Sequence, residues 1–323
     1  MSYLWKMAHL IRSGRLKDQR GFTMLELLVV VAILAIIAGG LIVAYDGLEA
    51  KSAKGQATFN IAAIDKGVRA FKVVSGSFPN ELDAMLTTGI TAVDCLAGTS
   101  CTATGGGFYA GLHSNLQGAD GSLTTADGKL GLYSLAAEDA TALANAGITQ
   151  VRYIDGTLNT VGNIPNRDFD DAPRGKGVLA TLGAASIVQV VESEGLGAAT
   201  ACASPFSGAC NRLNDITGLD PSMMHVVVAF GVGNNSSIVS DQTGANAANF
   251  SEAPWYTDVA KNQYGRFLVL YHLASDNGAG GGTANDGIIQ AGERFSTARY
   301  VGVIDPKGDW LDEEYAEFTG QKT

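Results

Sequence analysis

The sequence predicts an α+β fold, with one long helix first and a sheet domain after it. Two observations carry that class. From Phe22 to Val74 no proline interrupts a helical pattern; the apolar run Leu27 to Val43 gives way to Ile61, Ile64, Val68 and Phe71. That second set recurs at helical spacing and forms one stripe. Beyond residue 150, short runs rich in Val, Ile, Tyr and Phe are separated by Gly, Asn and Asp, the pattern of strands and turns. Helix first and strands later is the order of an α+β chain.

The elements follow in order. Residues 1–21 hold five bases, Lys6, Arg12, Arg15, Lys17 and Arg20, against the single acid Asp18, and read as a basic leader. Residues 22–75 form the helix, about 80 Å long at 1.5 Å per residue. Its half 22–45 is apolar and of membrane length, and its second half packs on the body through the stripe. Ser75-Gly76-Ser77 ends it. Phe78-Pro79-Asn80-Glu81-Leu82 then leads into a short helix to about Leu86, closed by Gly89. Residues 91–130 are a Gly/Ala/Ser/Thr-rich loop region. A second short helix spans Leu135 to Asn145 and stops at Gly147. Strand signals follow at Val151–Ile154, Ser186–Val191, Met224–Phe230, Arg266–His272 and Arg299–Ile304, which predicts an antiparallel sheet. Polar insertions occupy 193–222 and 232–262. Residues 76–323 thus read as one extracytoplasmic globular domain.

Composition narrows the partners. At 46% hydrophobic, the 323 residues suffice for a core. The formal charge is −10, and loss of residues 1–21 leaves 17 bases against 31 acids, or −14. Such a surface disfavours nonspecific contact with nucleic acid or an anionic membrane face; no specific nucleic-acid partner is expected. Cys95, Cys101, Cys202 and Cys210 form two close pairs, as suits an oxidising compartment. Of the three possible pairings, proximity in sequence favours Cys95–Cys101 with Cys202–Cys210. Each loop closure would stabilise by about 2 kcal/mol.

No enzyme constellation stands out. There is no G-x-S-x-G, H-E-x-x-H or P-loop, and Gly231-Val232-Gly233 lacks the third glycine of a dinucleotide fingerprint. His225 and His272 fall inside strand runs and read as core residues. Asp168, Asp170 and Asp171, like Asp312, Glu313 and Glu314, read as solvated acids. The stretch from Asp276 to Glu293 offers more: Asp276-Asn277 precede a flexible glycine run, and Asn285-Asp286-Gly287 supply oxygens at a turn. Calcium takes six to eight such oxygens on a chain that bends sharply. Asp276 and Asp286 are the first candidate ligands and Glu293 the next, although Gly282 and Ala284 exclude a standard EF-hand. An Asn/Asp/Gly turn with solvated acids has the same composition.

One stretch of the sequence is more specific than all of these. Glu26 stands at the head of the apolar run, where a carboxylate would cost about 2.5–3.5 kcal/mol at a bilayer centre and somewhat less near its edge. With it, Gly21-Phe22-Thr23-Met24-Leu25-Glu26 resembles the processing site of type IV prepilins and of the pseudopilins of type II secretion. The resemblance covers Arg20 to about Tyr45. It implies that a prepilin peptidase cuts after Gly21 and methylates the new terminus at Phe22. It also implies that Glu26 pairs with the terminal amine of a neighbouring subunit. The partners implied are that peptidase, identical or related pilin subunits, and an assembly platform in the inner membrane. The location implied is a single pass of that membrane with the body in the periplasm, then a periplasmic or cell-surface filament. The Phe78-Pro79 junction resembles pseudopilins further, and so does the stretch from Asp276 to Glu293, because major pseudopilins have a calcium-binding loop late in the globular domain. A secretion pseudopilin is the first expectation, a surface pilin for adhesion, motility or DNA uptake the second. A membrane-anchored binding domain with a borrowed pilin leader is the third.

Overall fold

The structure is a computed structural model and describes residues 23–90, 111–117, 130–154, 177–191, 225–239, 250–260, 263–281, 283–284 and 289–320. The chain divides into two compact units, Met1–Ala50 and Lys51–Thr323.

Helix α1 spans Met24–Ser75, as the uninterrupted pattern predicts. In the first unit its residues Met24–Leu41 are apolar and long enough to cross a membrane by length and composition, and none of that length is buried. In the second unit its stripe is Ala57, Ile61, Ile64, Val68 and Phe71, all at most 5% exposed. Steps of four and three residues stack these side chains on one face. Each of the larger ones stabilises by about 1.5–3 kcal/mol through burial. Gly67 lets the helix approach closely, because a Cβ there would stand 2.7 Å from the Phe250 ring. The end is fixed by Gly76 at φ +77, whose N–H reaches the Lys72 carbonyl at 3.0 Å, and by Ser75 Oγ donating to the Phe71 carbonyl.

Among the described residues, eight strands form one sheet: β1 (Leu82–Thr87), β2 (Leu130–Ser134), β3 (Gln150–Ile154), β4 (Gly177–Thr181), β5 (Ile187–Val191), β6 (His225–Gly231), β7 (Leu268–Ser275) and β8 (Arg294–Ile304). The order runs β2-β5-β6-β1-β3-β4, with β7 pairing β6 and β8. Strand β6 is therefore the hub. Its Val226, Val228 and Phe230 join the apolar cluster that holds the α1 stripe, while Val227 and Ala229 join a second cluster with Leu112, Leu116 and Trp310. Both faces are covered, so β6 and β7 read as continuous apolar runs.

Helix α2 (Ser114–Gln117) is a single turn, α3 spans Ala137–Ala146, and α4 spans Leu311–Thr319. Helix α3 stops at Gly147 with φ +100, as expected from the sequence. Helix α4 packs on α1: Lys54 pairs with Glu317, and the Phe318 ring sits 3.0 Å from where a Cβ on Gly55 would stand.

The structure corrects two expectations. The helix expected to reach Leu86 is strand β1. All six of its residues are buried, so no polar face remains for a surface helix, and the carbonyl and side chain of Asn80 fix its entry by bonding Ser237 N, Thr149 N and Gln150 N. The sheet is also mixed rather than antiparallel, because β1 pairs β3 in parallel at Leu82↔Val151 and Asp83↔Arg152.

Candidate functional site

Gly21 and Phe22 lie outside the described residues, but the start of α1 is on view. Thr23 N donates to Glu26 Oε2 at 2.9 Å and Thr23 Oγ1 to the same oxygen at 3.0 Å, while Glu26 N donates to Thr23 Oγ1 at 3.3 Å. This is a reciprocal capping box, in which the N3 acid satisfies the N-cap amide. Glu26 is the single charge in Met24–Leu41, and its local partner is this turn. Thr23, whose side chain closes this box, was not among the expected site residues, although its Thr-x-x-Glu spacing is legible in the sequence.

Of the calcium candidates, Asp276 and Glu293 are described and Asp286 lies outside. Both described residues are buried, at 0% and 1% exposure. Glu293 clasps the loop: its Oε1 accepts from Gly278 N at 2.7 Å and its Oε2 from Gln290 N at 2.8 Å. Gly278, Gly280 and Gly281 all have positive φ, and a Cβ on Gly280 would stand 2.6 Å from Gly292 Cα. Only glycine permits that approach. Neither Asp276 nor Glu293 keeps a buried oxygen without a partner. Their described arrangement fits a self-satisfied turn. The four cysteines, and Asp168, Asp170 and Asp171, lie outside the described residues.

His225 and His272 are buried core residues. Their rings pack edge to face at 5.0 Å, and Ser275 Oγ bridges His225 Nδ1 at 2.8 Å and His272 Nε2 at 2.9 Å. Burial first, then the neighbouring His225, push His272 down to about 3.

A further acidic centre lies at the end of β8. Asp305, Asp309 and Glu314 each bring one carboxylate oxygen within 4.8 Å of the others. Asp305 is fully buried and Glu314 is 1% exposed. This corrects the reading of Glu314 as a solvated acid: at the fourth position of α4 it faces inward and accepts from Tyr256 Oη at 3.0 Å, while Asp312 stays exposed. Burial, then the Asp309 charge and the Glu314 carboxyl, push Asp305 well above the usual carboxylate range. Glu314 is raised too, again by burial first. In the sequence, three acids in a row at 312–314 look like a solvated helix start, and only the fold shows which one turns inward.

Among known families, the model of the prokaryotic N-terminal methylation motif matches residues 16–42. No curated protein and no solved structure matches the chain. The matched motif is the leader signature of type IV pilins and pseudopilins, and it spans the leader end, Gly21, Glu26 and the apolar half of α1.

Proposed function

We propose that this chain, a bearer of the N-terminal methylation motif, is a structural subunit of a pilin-like filament, of the type II secretion pseudopilin kind. The observation that carries the reading is the motif at residues 16–42 joined to an unburied apolar helix whose one charge is Glu26. An apolar half-helix of this length is soluble only in lipid or against other such helices. Leaving the membrane must therefore be matched by packing in a bundle. There Glu26 requires an opposite charge, because a lone carboxylate among aliphatic side chains is expensive. The freed amine of Phe22 on a neighbouring subunit supplies it and sets the axial register.

Until assembly, residues 22–45 anchor the chain in the inner membrane with the body in the periplasm. Its partners are a prepilin peptidase, like subunits and an inner-membrane assembly platform. The pseudopilin kind is favoured by the junction after α1. There Phe78 packs against Tyr271 at 5.3 Å and Tyr300 at 5.9 Å, tying the turn to β7 and β8. No catalytic role is proposed for the body.

The test joins mass and assembly. The mature chain should begin at Phe22 and carry an N-terminal methyl group. Glu26→Ala should leave that processing intact and reduce sheared filaments at least tenfold. Filaments that retain residues 1–21, or a Glu26→Ala strain with a normal filament yield, would overturn the reading.

A further inference from the structure

The filament role makes no use of the carboxylates where β8 passes into α4. Asp305 follows the last residue of the strand, Asp309 closes the turn, and Glu314 stands in α4. Their oxygens lie within 4.8 Å of one another. Oxygens bound to one calcium ion at 2.3–2.6 Å stand no more than about 5 Å apart, so the spacing suits a single ion.

Clustered acids are common on protein surfaces, but two of these are in the interior with oxygens left open. Asp305 Oδ2 and Glu314 Oε2 are buried and meet no hydrogen-bond donor. Their sister oxygens are taken. Asp305 Oδ1 accepts from Lys307 N at 2.8 Å and Asp309 N at 2.7 Å, and Glu314 Oε1 accepts from Tyr256 Oη. The two carboxyl groups stand within hydrogen-bonding reach of each other. The nearby cations are engaged elsewhere, Lys307 with Asp258 and Lys54 with Glu317. Among the described residues no salt bridge reaches Asp305 or Glu314. Buried acids left this way call for a positive partner, and no salt bridge among the described residues supplies one.

We propose that Asp305, Asp309 and Glu314 hold one hard divalent cation, calcium. All three donors are carboxylate oxygens, with no thiolate or imidazole among them, which selects calcium or magnesium over zinc. A strand end, a turn and a helix give an irregular donor set, and calcium tolerates that better than magnesium with its strict octahedron. The ion joins three consecutive elements and fixes the first turns of α4. Through Glu317 on Lys54 and Phe318 over Gly55, α4 lies on α1. Calcium therefore stabilises the seating of the last helix on the helix that leads into the assembly half. This proposal goes beyond the filament role and stands without it.

The experiment uses the full mature chain in detergent, stripped with chelator and then titrated with calcium chloride. Direct binding is read by equilibrium dialysis and stability by the thermal midpoint of near-UV circular dichroism. At a hundredfold excess over Kd the wild-type midpoint should rise by roughly 5 °C. Asp309→Asn, at a half-buried position, and Glu314→Gln should each weaken calcium binding at least tenfold and lose the rise, while Glu293→Gln keeps it. A midpoint indifferent to millimolar calcium would mean that Asp305 and Glu314 share a proton instead, and would overturn the proposal. So would an equal rise in wild type, Asp309→Asn and Glu314→Gln, which would put the ion elsewhere.

Discussion

Strand β8 meets a buried acid at each end, and the two ends neutralise it differently. Where the strand starts, Arg294 pairs with fully buried Asp139, and Tyr133 Oη donates to the same carboxylate at 2.7 Å. Arg294 reaches further, to Tyr133 Oη at 2.8 Å and the Ile289 carbonyl at 3.2 Å. Just past its end, Asp305 and Glu314 have main-chain and tyrosine donors but, among the described residues, no salt bridge to a cation. A carboxylate removed from water is tolerated only when its charge is balanced. Where Arg294 carries the balancing charge the site is architecture, and where no described residue carries it the balance falls to the calcium ion proposed above.

The strongest way to break this contrast is to remove the internal cation. Arg294→Ala should destabilise the chain by about 3–5 kcal/mol, because it strands a buried carboxylate. Urea unfolding of the full chain in detergent measures it. Asp139→Ala combined with Arg294→Ala should cost less than the sum of the two single changes. A loss below about 1 kcal/mol in Arg294→Ala would mean that Asp139 is not balanced by this arginine, and the contrast would fall.

A buried titratable group has a third way out, which is to stay neutral. His272 takes it, held down to about 3 by burial first and by His225 second. The folded state keeps the ring neutral, whereas the unfolded chain takes up a proton near the ordinary value of about 6.5. Stability from this group is thus complete above pH 6.5 and declines as the pH falls from there toward 3. By pH 5 the loss is at most about 2 kcal/mol. Comparing urea unfolding at pH 7 and pH 5, the wild type should lose more than His272→Gln by about that amount. Equal losses would show that His272 is not held neutral.

These centres also mark what could be read from the chain. Helix α1 was legible because an apolar run and then the stripe of Ile61, Ile64, Val68 and Phe71 keep one period with no proline. Strands β5, β6 and β7 were legible because Ile187–Val191, His225–Gly231 and Leu268–Ser275 are nearly unbroken apolar runs. Leu82–Thr87 was not: six residues with no clear period take their state from burial on both sides, set by β3 and β6. The parallel pairing of β1 with β3 joins positions about seventy residues apart, which no local signal encodes. The acid centres were hidden for a related reason. Asp139 sits among alanines like any helix-start acid, and its partner Arg294 stands 155 residues away.

The smallest effect tests the other acidic stretch, from Asp276 to Glu293, against the centre at β8's end. Glu293 uses both oxygens as acceptors for main-chain N–H groups, Gly278 N and Gln290 N. Glu293→Gln keeps one acceptor and turns an amide N–H₂ toward the other donor. An N–H left unsatisfied in a buried turn costs about 1–2 kcal/mol. If the glutamate is a clasp and nothing more, that loss should be the same in chelator and in calcium, measured by urea unfolding of the full chain. Asp309→Asn should behave in the reverse manner, destabilising more in calcium than in chelator. A Glu293→Gln penalty that grows with calcium would give the 276–293 turn an ion of its own. The two acidic regions would then differ in degree rather than in kind. Identical penalties in both conditions leave the turn held by its own amides, because a carboxylate that already accepts two short N–H bonds and has glycines folded tightly beside it gains little from a metal.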